Sequence, residues 1–140
     1  MIHYNIDTYE NGHDDNIEGN AASPGEMNRI LFDKDEIPYM VGYIEFDDIP
    51  DISICISARK ELGFFICITD KKNVYLSLGD KNTLNETVDV WDELYVSKGL
   101  FIPFSIARKV LGEYLASRKL SEDITWITPD ELPENGNYIE

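Results

Sequence analysis

Histidine is nearly missing from this chain: of 140 residues only His3 and His13 are histidine. Both fall in a weakly patterned N-terminal part, so a Ser–His–Asp hydrolase has no oriented base to draw on. Cysteine is as scarce. The two cysteines, Cys55 and Cys67, are too few for a disulfide framework, and reduced thiols in a cytoplasmic setting are the expectation. No zinc-type spacing joins them to a histidine, and His13 beside Asp14 and Asp15 lacks further ligands. No glycine-rich phosphate loop or dinucleotide pattern occurs. Neither a metal nor a cofactor is therefore expected. Long apolar runs are absent too, and nothing approaches the ~18 residues that span a bilayer. The opening MIHYNIDTYE has no basic or apolar leader region, so neither a secretory signal nor membrane attachment is expected.

Positive charge is the other shortage. Lysine and arginine number 12 against 27 aspartates and glutamates, a formal net charge of −15. Nucleic acid and anionic membranes need a basic footprint, so both are excluded as general partners. Two readings of the acid remain: plain solubility, or a surface that meets a basic protein and speeds encounter by steering. Carboxylate pairs are present at Asp14/Asp15, Asp47/Asp48 and Asp92/Glu93. All lie in expected turns, which solvate acids, whereas paired catalytic carboxylates need a cleft that shifts their pKa values. The expectation is a protein that is not an enzyme.

Hydrophobic content of 43% at this length fits one globular domain. Residues 2–8 alternate weakly and read as an edge strand. Residues 9–22, rich in Asn, Gly and Asp, read as a loop. Ser23-Pro24-Gly25-Glu26 is a capping-box helix start, and Met27, Ile30 and Leu31 give a short stripe ending near Asp33. A strand over Arg29–Phe32 is the rival reading. Lys34-Asp35-Glu36-Ile37-Pro38 reads as a loop.

From Tyr39 the apolar period becomes two. Strands are expected at Tyr39–Phe46, Ile52–Ser57, Phe64–Thr69 and Val74–Leu78, joined by connections too short for parallel crossovers, hence an antiparallel meander. One face should hold Met40, Ile44, Phe46, Ile52, Ile54, Ile56, Phe64, Ile66, Ile68, Val74, Leu76 and Leu78 as core. The other face, with Ser53, Cys55, Phe65, Cys67 and Tyr75, reads as semi-polar. If Ile54 pairs with Ile68, Cys55 and Cys67 stand opposite each other, either as inert half-buried thiols or as a redox or metal pair.

Further strands are expected at Glu86–Trp91 and Glu93–Leu100, bent or joined near Asp92. Pro103 opens an amphipathic helix whose stripe is Ile106/Ala107, Val110/Leu111 and Tyr114/Leu115 and should pack on the core face. Ile124–Ile127 reads as a short strand joining the sheet. The resulting fold class is α+β: one domain over 1–128, mainly an antiparallel meander sheet with a C-terminal amphipathic helix on one face and a short N-terminal helix. Residues 129–140 read as a loosely held acidic tail.

The stretch from Tyr95–Leu100 through Pro103, ARKVLGEYLAS and ITWI resembles the C-terminal half of immunity protein family 1 of bacterial polymorphic and contact-dependent toxin systems. The likeness is clearest over residues 95–127. The upstream order of strand, short helix and meander also fits. Many members carry a small pair such as Thr-Gly after the helix; here Ala116-Ser117-Arg118-Lys119-Leu120 stands instead. The resemblance implies a non-catalytic cytoplasmic inhibitor that blocks the active site of a cognate toxin domain, often a nuclease or nucleic-acid deaminase. It transfers no binding residues.

The acid clusters supply the candidate surfaces. Asp89, Asp92 and Glu93 beside Trp91 join charge to an aromatic anchor and rank first. Asp47, Asp48 and Asp51 at a strand turn rank next, followed by Asp14, Asp15 and Glu18. Each is also an ordinary solvated turn on the simpler reading, and Trp91 a core residue with acids outside. Two rivals to the immunity protein stand: an acidic adaptor or DNA mimic that regulates a host nucleic-acid enzyme, and a small enzyme or ligand-binding domain using the Cys55/Cys67 face, which would need a concave, water-excluding pocket.

Overall fold

Short turns between apolar strands leave only antiparallel pairing, and the computed structural model, which describes residues 1–33 and 39–140, shows it. The loop expected over residues 34–38 lies outside the described residues. β3 (Tyr39–Phe46), β4 (Ile49–Arg59), β5 (Gly63–Asp70) and β6 (Asn73–Leu78) pair in succession. β1 (Ile2–Glu10) flanks β3, β2 (His13–Ala21) flanks β1, and β9 (Thr125–Ile127) flanks β6, giving a seven-stranded sheet ordered β2-β1-β3-β4-β5-β6-β9.

Two expectations are corrected at the N-terminus. Residues 2–8 do not form an edge, and residues 9–22 are not a loop but mostly the partner strand of β1. Asn11 and Gly12 take φ of 52° and 81°, the left-handed pair of a type I′ turn whose twist suits a hairpin. A polar β2 is tolerated because it is the sheet edge, where charged side chains are usual.

α1 (Pro24–Phe32) is helical, not the rival strand. Ser23 Oγ accepts from Glu26 N at 3.2 Å, and the Glu26 carboxylate accepts from Ala22 N at 2.8 Å, one residue earlier than in the usual box. α2 (Phe104–Ser117) follows Pro103, which is the N-cap and not the first helical residue. Its buried face is Ala107, Val110, Leu111, Tyr114 and Leu115; Ile106, expected in the stripe, is 36% exposed. Both helices pack with Met40, Ile44, Phe46, Ile54, Ile56, Phe64, Ile66 and Ile68 in one core, on the face expected. α2 ends on Arg118 in the left-handed region at φ 59°. Its guanidinium lies 3.7 Å from the Phe46 ring centroid and donates to the Leu115 carbonyl, which offsets the backbone strain.

The expected parity of β6 is wrong. Asp70 opposes Asn73 across a two-residue turn, so odd-numbered residues of β5 face even-numbered ones of β6. Tyr75 therefore joins the helix-side core, and Leu76 turns to the other face, against Phe65 and Cys67.

That other face is not the expected semi-polar surface. β7 (Thr87–Trp91) and β8 (Leu94–Ser97) form a separate hairpin laid over β4–β6. Phe65, Cys67, Leu76, Val90, Val96 and Leu100 are buried between the layers as a second core. Two buried serines tie this layer down, Ser77 from the sheet and Ser97 from the hairpin. Ser77 Oγ accepts from Ile66 N at 3.0 Å and donates to the Leu100 carbonyl at 2.8 Å. Ser97 Oγ donates to the Leu84 carbonyl at 2.7 Å and accepts from Asn137 N at 2.9 Å. The latter contact helps dock the segment expected as a loose tail, as do the Asn137 amide on the Tyr95 carbonyl and the packing of Tyr138 and Ile139 on the second core. Trp126 is half-buried against the helix-side core, its indole N–H bonded to the Ser121 carbonyl at 3.0 Å.

Candidate functional site

The hairpin layer covers β4–β6 and reaches the Tyr39 end of β3, where Trp91 packs on Tyr39 and Val41 is buried. The same face of β1, β2 and the Tyr43 and Glu45 positions of β3 is left open. The register sets side by side on it Tyr9 and Asp14, Asp7 and Asn16, Asn5 and Glu18, then Asn5 and Tyr43, His3 and Glu45. A polar ladder orders this floor. The Asn16 amide donates to Asn5 Oδ1 at 2.7 Å and to Asp7 Oδ1 at 2.8 Å, and the Asn5 amide donates to Glu18 Oε2 at 2.8 Å. Regular pairing on both sides of β1 makes the floor rigid, so these carboxylates are positioned before any partner arrives.

The β7–β8 turn forms a wall beside the floor. Asp92 and Glu93 occupy its tip at φ 44° and 71°. The strain is held by Asp89, whose carboxylate accepts from Trp91 N at 3.0 Å and from Glu93 N at 3.1 Å. Asp89 is thus committed to the turn, while Asp92 and Glu93 are exposed. Trp91 is half-buried and packs on Tyr39, ring centroids 5.3 Å apart and tilted at 49°. Tyr39 in turn meets Tyr9 edge-on at 6.2 Å. Arg59 braces the junction from behind: it lies 5.2 Å from the Tyr39 centroid, donates to the Asp89 carbonyl at 2.8 Å and pairs with Glu61 at 2.6 Å. Burial, then the Asp89 carboxylate, push the Tyr39 phenol above its usual pKa, with Glu61 and Asp92 adding to it against the opposing Arg59 charge.

Two concavities flank Trp91. One, of about 540 Å³, is lined by Tyr9, Asp14, Tyr39, Trp91 and Asp92. The other, of about 680 Å³, runs over the floor past Asp7, Tyr43, Glu45, Trp91, Leu94 and Glu140. Among the described residues, neither has a lysine or arginine in its lining. Trp91 and Asp92 of the first-ranked sequence cluster and Asp14 of the third therefore meet at one place, while Asp89 and Glu93 line neither concavity. Asp47, Asp48 and Asp51 do not join them. They sit at the other end of β3, where Asp48 lies 3.6 Å from the Arg118 guanidinium and Asp47 lies 3.8 Å from the Met1 amine.

Sequence reasoning missed Asp7, Tyr43, Glu45, Leu94 and Glu140 as site residues. The usable signal was Asn11-Gly12, the strongest short-range mark of a hairpin. It would have turned residues 9–22 into a strand and put Asp7 beside Asp14 and Glu18.

Cys55 and Cys67 are directly opposed in the register, both as free thiols. Cys67 is covered by the second core, and Cys55 closes one end of the larger groove. Burial pushes the Cys55 thiol up to about 12, with the Glu140 charge adding to it, and burial pushes Cys67 up as well. Thiols held protonated are poor nucleophiles. The sign of the pH effect follows. A thiol whose folded pKa exceeds its unfolded value stabilises the fold fully below the unfolded pKa, and that contribution is lost as pH rises through the folded one. Burial raises Tyr114 to about 12 in the same sense. Stability should therefore be flat near neutrality and fall steadily between about pH 9 and 12. Urea midpoints across that window check it; a midpoint unchanged at high pH would show that the thiols titrate normally.

Among the described residues no cluster of three or more His, Cys, Asp or Glu side chains is arranged to hold a metal ion, and no helix is long and apolar enough to cross a membrane. Chemically, the surface offers fixed carboxylates and aromatic faces to something cationic. Comparison with protein-family models, curated proteins and solved structures finds no match to this chain.

Proposed function

We propose that this protein is a non-catalytic inhibitor of the immunity type, which binds a basic toxin domain and blocks its active site through the acidic face. One observation supports the reading above the others. The open part of the sheet and the turn beside it gather Asp7, Asp14, Glu18, Glu45 and Asp92 around exposed aromatic side chains, and among the described residues the two concavities there have no lysine or arginine in their lining. A nuclease or nucleic-acid deaminase presents the complementary surface, because its own substrate is a polyanion. Carboxylates on a rigid floor take positions that phosphates would occupy, and the charge steers encounter. The setting is the cytoplasm of the toxin-bearing cell.

The test is co-expression with the toxin domain encoded directly upstream. Cells should survive, and the purified pair should form a complex whose association rate falls on the order of tenfold or more between low and high salt. Killing undiminished by the protein would defeat the reading. Capture of several unrelated basic proteins, with no toxin gene adjacent, would favour the acidic adaptor instead.

A further inference from the structure

We propose that the groove between β3 and the β7–β8 turn receives a protruding arginine of the partner, its stem against Tyr43, Trp91 and Leu94 and its guanidinium among Asp7, Glu45 and Glu140. This rests on the reading that the partner is a basic protein, and it names the contact on which that binding turns.

The groove mixes two chemistries that few ligands satisfy together. Its walls are apolar and aromatic: Tyr43 is 39% and Leu94 45% exposed, and Trp91, Val41 and Ile139 line it beside them. Its rim is acidic, and among the described residues neither Asp7 nor Glu45 has a cation within ion-pair distance. An apolar ligand would strip water from those carboxylates without replacing it. A nucleic acid would be repelled. A long aliphatic stem ending in a cation fits both halves, burying the stem and leaving the head at the acids. Arginine fits better than lysine because its planar head stacks on aromatic rings and offers several fixed donors to separate carboxylates.

The site is also preformed. Asp7 is held by Asn16, and Trp91 is held by Tyr39 and, through the Asp89 carbonyl, by Arg59. Little conformational freedom remains to be lost on binding. The acids at the other end of the sheet differ, since Asp48 already has Arg118 beside it.

The probe is a capped tetra-arginine peptide, with capped tetra-lysine as control. Trp126→Phe leaves Trp91 as the single tryptophan reporter. Tetra-arginine should change Trp91 emission saturably and shift backbone amides at Asp7, Tyr43, Glu45 and Leu94. Asp7→Asn with Glu45→Gln, both near-isosteric on exposed or half-exposed positions, should weaken binding about tenfold, while Asp47→Asn with Asp48→Asn should change it less than about twofold. Tetra-lysine should bind several-fold more weakly. Equal weakening by the two double variants, amide shifts centred on Asp47–Asp51, or tetra-lysine binding as tightly would each overturn the proposal. Spectra of the free variants confirm folding. Toxin protection is a separate arm: if it survives Asp7→Asn/Glu45→Gln unchanged, the groove is wrong and the inhibitor reading stands; if tetra-arginine behaves as stated but no toxin is bound, the reverse holds.

Discussion

Alanine at Gly63 is expected to cost about 2–5 kcal/mol of stability, combining left-handed strain with a steric clash. Gly63 opens β5 at φ +106°, where side chains are rarely tolerated, and a Cβ there would stand 2.2 Å from the Ile102 carbonyl oxygen. That oxygen cannot yield cheaply. It accepts from Phe64 N at 2.9 Å, and Ile102 N donates back to the Phe64 carbonyl at 2.9 Å. This bridge ties the segment entering α2 to the centre of the sheet, so relieving the clash means detaching the helix from it. Gly12→Ala is the control. Gly12 has φ +81° with nothing within 4 Å, so only the strain of about 1–2 kcal/mol remains. Urea denaturation with an unchanged m-value reads both. A Gly63→Ala cost no larger than that of Gly12→Ala would show that the bridge is soft.

Phe65→Ala is expected to destabilise as much as Phe64→Ala, about 3–5 kcal/mol each. The two rings point to opposite faces of β5, and both are fully buried. Phe64 packs on Phe32 at 5.2 Å in the helix-side core, and Phe65 packs on Phe101 at 6.2 Å beneath the hairpin. A sheet with one solvated face would make the second change nearly silent. Here it opens a cavity under the layer that carries Trp91, so the groove wall should loosen as well. Trp91 emission, read in the Trp126→Phe background, should shift to the red in Phe65→Ala but not in Phe64→Ala. A cost for Phe65→Ala below about 1 kcal/mol would mean that the hairpin layer closes over the void or does not hold it at all.

The central strands and both helices were legible in the sequence because each carries its own local signal. Ile52–Ile56 has isoleucine at every second position, Phe64–Ile68 is a short apolar run between turn residues, and α2 repeats every three to four residues. Ser23 and Glu26 announce α1 through local hydrogen bonds that need no tertiary contact. The opposition of Cys55 and Cys67 followed from pairing Ile54 with Ile68. β2 was not legible from its polarity, because a largely exposed edge strand has little reason to alternate, and its one mark was the Asn11-Gly12 turn before it. Nor was the parity of β6, which depends on whether the connecting turn has two residues or three.

The candidate site divides in the same way. Trp91 and Asp92 stood out as an aromatic flanked by acid, and they do line the two concavities or one of them. Asp89 stood out equally but is spent on its own turn. Asp7 and Glu45 had no local mark. They matter only because β1 and β3 pair and the hairpin stops short of them.

By itself, then, the sequence determined the class of the fold, the helix-side core and the sign of the surface charge, all set by interactions between neighbours in the chain or by composition. Tertiary structure alone decided that both faces of the central strands are buried, and that Asp7, Asp14, Glu18 and Glu45 share the part of the sheet left open. The physical reason is distance along the chain: the hairpin of Thr87–Ser97 finds its place by matching Val90 and Val96 to Phe65, Cys67 and Leu76, a long-range apolar fit that no local pattern encodes.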